Sequence, residues 1–245
     1  MKTFKIVFVA LIVFLTVGIL LLYNAFNGNP VSHYLAEKAL NRYLQANYPD
    51  REFRIDRSFY NFKISGYDFD VTEIGSNRAN PYEVHVQGFI KPKVKYDEIY
   101  YETLDEPLME KISQEAEQEI LQLLKQKIHT IKNVDISLEI QKGNLPPDAS
   151  WSKELQLKKP IDIFVQIDAN NETLEGVYTK AKEMQALLNE QNYDYRNVTI
   201  NAMRDFDGNP TGLKDGQGYV KYAISFIKHT PIKKKDVTEF EDGNR

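Results

Sequence analysis

From Ile6 to Tyr23 the chain reads IVFVALIVFLTVGILLLY, 18 residues without a charge. At about 1.5 Å per helical residue this run spans about 27 Å, close to the roughly 30 Å hydrocarbon core of a bilayer. Lys2 and Lys5 precede it, and no charge follows until Glu37. The positive-inside rule then puts the N-terminus in the cytoplasm and residues 30–245 outside, at the cell membrane. Two other readings compete with an uncleaved anchor: a cleaved signal peptide and a buried core helix. A signal's apolar region is usually about 7–15 residues and ends in a small-x-small site. The exit Asn24-Ala25-Phe26-Asn27-Gly28 offers no such pair, and cutting after Thr16-Val17-Gly18 leaves Ile19 to Tyr23 exposed at the new terminus. The anchor is preferred, with residues 1–29 as signal-anchor and residues 6–23 in the lipid bilayer.

Beyond the run the pattern becomes periodic. Asn29-Pro30 is a helix start, with Asn as cap and Pro in the first turn. Leu35, Ala36, Ala39, Leu40, Tyr43 and Leu44 then recur at three and four until Tyr48-Pro49-Asp50. Next the period falls to two. Phe53, Ile55 and Phe59 alternate with polar residues, as do Tyr67, Phe69, Val71 and then Tyr82, Val84, Val86. Each group predicts a strand with one buried face, the polar set (Asp68, Asp70, His85) being solvated.

Asp105-Glu106-Pro107 opens the longest predicted helix, to about Ile131, with Leu108, Ile112, Ala116, Ile120, Leu124 and Ile128 every four residues. Its acids cluster early and its bases late, which suits the helix dipole. A strand of Val134, Ile136, Leu138 and Ile140 follows, then a long polar loop, 143–160, with Pro146-Pro147 and the chain's only Trp. A strand at 161–167, a helix at about 172–191 and strands around Ile200 and Ile224 complete the pattern. From Thr230 periodicity is lost. The predicted fold is α+β: a transmembrane helix followed by two small helix-plus-antiparallel-sheet modules. The expected segments are 1–29, 30–104, 105–230 and a flexible tail at 231–245. A handful of identities at an offset of 145, such as Asn47-Tyr48 with Asn192-Tyr193, raises the possibility of a duplication against simple reuse of one supersecondary unit.

Composition narrows the function classes. The chain has 245 residues, 42% hydrophobic, enough for a real core. It lacks Cys, which excludes disulfides, a cysteine nucleophile and a lipid-modified N-terminal Cys. Net charge is −4, and with Lys2 and Lys5 set apart the body holds 29 basic against 35 acidic residues. Such a surface is poorly suited to nucleic acid.

The helix NRYLQANYP, the aromatic strands FRIDRSFYNFKISGYDFDV and, later, NVDISLEIQKG, PIDIFVQIDANNETLEGVYTKAKEMQALL and GYVKYAISFIK resemble the YfjL-like proteins of Bacillus-type bacteria. That resemblance covers nearly the whole chain and implies a membrane segment followed by N- and C-terminal α+β regions. It implies no activity and no catalytic residues.

The residues themselves offer little chemistry. His33, His85, His129 and His229 fall at no zinc spacing. Ser150–Lys153 and Ser225–Lys228 match S-x-x-K, but nine Ser and 23 Lys give about one match by chance, and no S-D-N or K-T-G accompanies them. Asp205-Phe206-Asp207-Gly208-Asn209 has Pro and Gly where a calcium loop needs Gly and Glu, so it reads as a turn. No catalytic, cofactor or metal site is expected. Trp151 differs, because a long polar loop carrying one large amphipathic side chain makes a contact point or else folds back over a sheet edge. Partner contacts are therefore expected at Trp151, Pro146 and Pro147, toward a membrane or cell-wall protein. An extracytoplasmic hydrolase with an unrecognised carboxylate site, or a secreted protein if the anchor is cut, are the alternatives.

Overall fold

A computed structural model of the chain describes residues 2–205 and 218–240. The chain divides into two compact units, Met1–Thr103 and Leu104–Arg245.

The first unit begins with helix α1 (Lys2–Asn27), which is long and apolar enough to cross a membrane. None of its most apolar 18 residues is buried in the protein. Gly28, at φ +67°, turns the chain into α2 (Pro30–Asn47). Asn29 caps α2 by accepting from Ser32 N (2.8 Å), and Tyr67 Oη secures the cap by accepting from Asn29 N at 2.9 Å. Strands β1 (Phe53–Asn61), β2 (Gly66–Glu73), β3 (Tyr82–Gln87) and β4 (Lys93–Asp97) follow in an antiparallel meander, ending in the single turn α3 (Glu98–Tyr101). Ala36, Leu40 and Leu44 of α2 join Tyr67, Phe69, Val71, Tyr82, Val84 and Val86 in one core.

Two expectations change here. Phe59 does not share the buried face of Phe53 and Ile55. The pairing of β1 with β2 slips between Ile55 and Arg57, and one extra residue moves every later side chain to the other face. Tyr60 therefore packs on the core and Phe59 stands exposed. The second is β4, which a run of lysines (Lys91, Lys93, Lys95) conceals in the sequence.

The second unit holds α4 (Glu106–Lys125), β5 (Ile131–Ser137), β6 (Ile161–Asp168), α5 (Leu174–Glu190), β7 (Tyr195–Asp205), β8 (Gly218–Ile227) and the short β9 (Thr238–Glu239). The strands lie in numerical order in one sheet. Leu108, Ile112, Ala116, Ile120 and Leu124 of α4 and Val177, Ala181, Met184 and Leu188 of α5 share one core with the inward residues of β5 to β8. Helix α4 stops at Lys125, earlier than its apolar repeat predicts. Tight bonds from Gln126 N to Leu123 O and Lys127 N to Leu124 O close it, and Ile128 stays buried in the turn. Strand β5 accordingly starts at Ile131.

Strands β6 and β7 are parallel, Ile163 beside Val198 and Val165 beside Ile200, because α5 carries the chain back between them. A helical crossover of this kind is how parallel neighbours are joined. The antiparallel expectation holds for the other pairs of this sheet. The two sheets thus differ in connectivity, so the identities at the 145-residue offset fit reuse of a helix-to-strand turn better than duplication. The expected flexible tail is packed over its described part: Ile232 and Val237 enter the core and β9 pairs with β8. The Asp205–Asn209 turn lies outside the described residues beyond Asp205, the end of β7.

Candidate functional site

Residues 143–160 contain no helix or strand, as expected of the long loop, and the preceding strand ends at Ser137, short of the expected Leu138 and Ile140; yet the whole segment is held down along its length. Leu138 and Ile140 are buried, and Leu145, Ala149, Trp151, Leu155 and Leu157 pack against the core of the second unit. Two residues one turn apart on α4 strap the loop. Lys111 Nζ donates to the carbonyl of Ala149 (2.8 Å), and Glu115 accepts from Trp151 N (2.6 Å). The next acids along the helix also bind: Glu117 accepts from Ile136 N (3.1 Å) and Glu119 from the Tyr193 hydroxyl (2.5 Å). Burial, reinforced by the Glu119 carboxylate, pushes the Tyr193 phenol above its ordinary range. These glutamates were legible only as dipole partners; acids near a helix N-terminus look the same in sequence whatever they bind.

This strapping leaves an open cleft of about 440 Å³. Its walls are Glu119, Gln122, Leu123 and Gln126 of α4, Trp151 to Glu154 of the loop, and Gln191 and Tyr193 after α5. Trp151 is half-buried, and its indole Nε1 is enclosed with no hydrogen-bond partner. Pro146 and Pro147 are exposed and do not line the cleft; the carbonyl of Pro146 accepts from Ala149 N (3.0 Å) to close a turn upstream. Of the three expected contact residues, the structure therefore brings only Trp151 into the cleft. The cleft offers a flat apolar ring beside three glutamines and two carboxylates. Such a surface suits an extended chain with amide groups to bond and a side chain to lay on the indole.

The histidines stay apart. His33 Nε2 meets Ser58 Oγ (2.6 Å), His129 lies in the turn after α4, and His229 follows β8. His85 and Asp68 are not solvated, as alternation predicts, but buried together at 2.5 Å. Asp68 also accepts from Asn61 Nδ2 (2.8 Å), so the three residues tie β1, β2 and β3 across the face turned away from α2. Asp70 does face outward, paired with Arg57 at 2.8 Å. The free ring nitrogen of His85 is enclosed without a partner, and a Cβ on Gly66 would come within 2.6 Å of it. An imidazole closed in this way ties strands and has no route to a substrate. Among the described residues no three of His, Asp and Glu gather in an arrangement fit for a metal ion. Of the S-x-x-K serines, Ser225 bonds Thr199 (3.0 Å) and Ser150 meets Lys111 (3.4 Å).

Fold and site together define a two-unit α+β protein behind an apolar helix of membrane-spanning length. The chain belongs to the YfjL-like family. Residues 3–98 match the YfjL-like N-terminal domain and residues 115–240 the YfjL-like C-terminal domain. It is 33% identical over 221 residues to the uncharacterized protein YfjL of Bacillus subtilis (strain 168), covering 90% of this chain and 91% of that one. A DUF5037 family protein from Ruminococcus gnavus, known from its crystal structure, aligns over 71% of this chain and 75% of its own at 12% identity, with a TM-score of 0.23.

Proposed function

We propose that this protein is a single-pass, membrane-anchored binding module. Its N-terminus lies in the cytoplasm, and its body works outside the membrane as an interaction domain, not as an enzyme. The observation that supports the reading is α1: eighteen uncharged residues with lysines before them and no burial in the protein. A soluble body does not leave such a helix in water. Anchoring confines the body to the membrane surface and raises its effective concentration toward a neighbouring membrane or wall protein. The Trp151 cleft is the surface we assign to that partner, with the indole as apolar anchor and Gln122, Gln126 and Gln191 bonding its main chain.

The test uses intact cells and a membrane-impermeant amine crosslinker, read by mass spectrometry. Lys153 lines the cleft and reports on it directly. The reading expects one recurring membrane or wall protein joined at Lys153, and loss of that link when the exposed cleft residues Gln122 and Gln126 are both replaced by Ala, with the rest of the body still labelled. Labelled lysines with no recurring partner would leave the anchor standing and sink the interaction role. An unlabelled body beside labelled surface proteins would refute the orientation.

A further inference from the structure

Of the three turns in the first sheet, those joining β1 to β2 and β3 to β4 lie at the same end. In register, Asn61, Gly66, Gln87 and Lys93 stand side by side across β1 to β4, so the tips at 62–65 and 88–92 leave the sheet together. This is also the end at which α1 finishes. The Phe26 ring sits 5.3 Å from that of Phe62. Leu21, Asn24 and Ala25 share a cleft of about 450 Å³ with Tyr60, Gln87 and Phe89.

The composition of the tips is unusual for loops in water. Phe62, Ile64 and Phe89 are each at least half exposed, and Ile90 is 80% exposed. Turn tips ordinarily carry Gly, Asn, Asp and Ser. Between these apolar residues stand Lys63, Lys91 and Lys93, all exposed, and neither 59–66 nor 87–93 contains an acid. Aromatic and aliphatic side chains interleaved with lysines, beside the last turns of a membrane-length helix, have the chemistry of a bilayer's interfacial layer. There rings sit at headgroup depth and lysines reach out to anionic groups.

We infer that the tips Phe62–Ile64 and Phe89–Lys91 insert into the outer interfacial layer of the bilayer that α1 spans, giving the first unit a second, peripheral hold on the lipid surface. This rests on the anchor reading of α1 and adds to it. Gly28, the hinge after α1, is enclosed by Tyr60 and would bring a Cβ within 2.8 Å of that ring. The hinge is therefore packed, and the sheet end is kept close to the helix exit instead of swinging on a free linker.

The chain has no Cys, so single reporters are clean. The full chain is reconstituted into vesicles of phosphatidylethanolamine and phosphatidylglycerol, with an environment-sensitive fluorophore on Phe14→Cys, Ile64→Cys, Ile90→Cys or Asp50→Cys. Asp50 is exposed near the opposite end of the sheet. Nitroxide lipids quench either at the headgroup or deep in the acyl chains. The inference expects position 14 to be quenched from the deep lipid. Positions 64 and 90 should be blue-shifted and quenched from the headgroup, and position 50 should respond to neither. Reversing the charges of Lys63, Lys91 and Lys93 should weaken the quenching at 64 and 90 while position 14 is unmoved. If 64 and 90 behave like 50 while 14 is quenched, the inference is wrong and the anchor stands. A blue shift without lipid quenching would assign the tips to a protein contact and overturn it too. Failure at position 14 would remove the anchor reading and the inference together.

Discussion

Asp97 holds the first unit together at the point where its helix, sheet and final turn meet. The residue is buried at the end of β4. One carboxylate oxygen accepts from the hydroxyls of Tyr43 (2.9 Å) and Tyr48 (2.5 Å), and the other accepts from Ile99 N (3.0 Å) as the cap of α3. Replacing it with Ala removes two charge-assisted bonds, at about 1.5–3 kcal/mol each before relaxation. It also removes a cap that contributes about 0.5–2 kcal/mol. Both tyrosines are only partly buried, so water recovers some of this, and a net loss of about 3–5 kcal/mol is expected for Asp97→Ala. Tyr43→Phe and Tyr48→Phe should each cost about 1–2 kcal/mol alone and almost nothing in the Asp97→Ala background. Because two units make a single unfolding curve ambiguous, the readout is urea-dependent hydrogen exchange of peptides from residues 29–103 in the full chain in detergent. There is a pH signature as well. Burial, and then the Asp97 carboxylate, raise both phenols above their ordinary value of 10.0. Folding thus favours the protonated phenols: the stabilisation is complete below pH 10 and is lost as pH rises beyond it. Asp97→Ala costing under about 1 kcal/mol, or undiminished Tyr→Phe costs in its background, would refute the idea of a shared hub.

Three further outcomes are expected. Trp151→Ala should destabilise the second unit by about 2–3 kcal/mol, because the ring covers core that a loop only partly recloses; Trp151→Phe should be near neutral, since it keeps the apolar cover and removes an unpartnered indole N–H. Equal losses in the two variants, read by hydrogen exchange of peptides from α4 and α5, would mean that the indole nitrogen is bonded. Gly66→Ala should cost about 2–3 kcal/mol, because its Cβ meets both the His85 ring and the Val86 carbonyl at 2.6 Å; wild-type hydrogen exchange across residues 29–103 would contradict the tight approach. The fork from Arg51 to Glu73 (2.7 and 2.6 Å) holds the Glu73 carboxyl below its ordinary 4.5. Its stabilisation, about 1 kcal/mol, should be present above pH 4.5 and vanish as pH falls through the lowered value, and Arg51→Met should flatten that part of the acid stability curve.

Much of the fold was legible because burial here is one-sided. Each helix in the body packs one stripe, and most strands bury alternate residues, so period alone assigns α2, α4, α5 and the strands with clean alternation. The errors sit where a local rule was overridden. A single extra residue near Asp56 inverted the face of Phe59, and tight turn bonds ended α4 while its apolar repeat still ran on to Ile128. The parallel pairing of β6 with β7 is a property of connection, not of period. It was hidden because Ile161 to Ile167 alternates like any half-buried strand, whereas parallel strands usually read as continuous apolar runs.

The candidate sites were less legible for one physical reason: polar side chains were assigned to water by default. Asp68 and His85 look solvated in alternation, yet each is the other's partner across β2 and β3, and burial becomes affordable only once the pair and Asn61 are seen together. Glu115 and Glu119 behave likewise, since their partners, Trp151 N and the Tyr193 hydroxyl, lie 36 and 74 residues away. The apolar residues at the hairpin tips carry no signal in the sequence that sets them apart. Phe62, Ile64, Phe89 and Ile90 are ordinary strand-forming residues, and nothing in their spacing separates core from surface. What distinguishes them is position, since the register of four strands gathers them at one end of the sheet, beside the exit of α1. Local pattern is therefore silent or wrong where partners distant in sequence are brought side by side. Those places are the polar tie across the first sheet, the strapped loop that frames the Trp151 cleft, and the apolar end from which α1 departs.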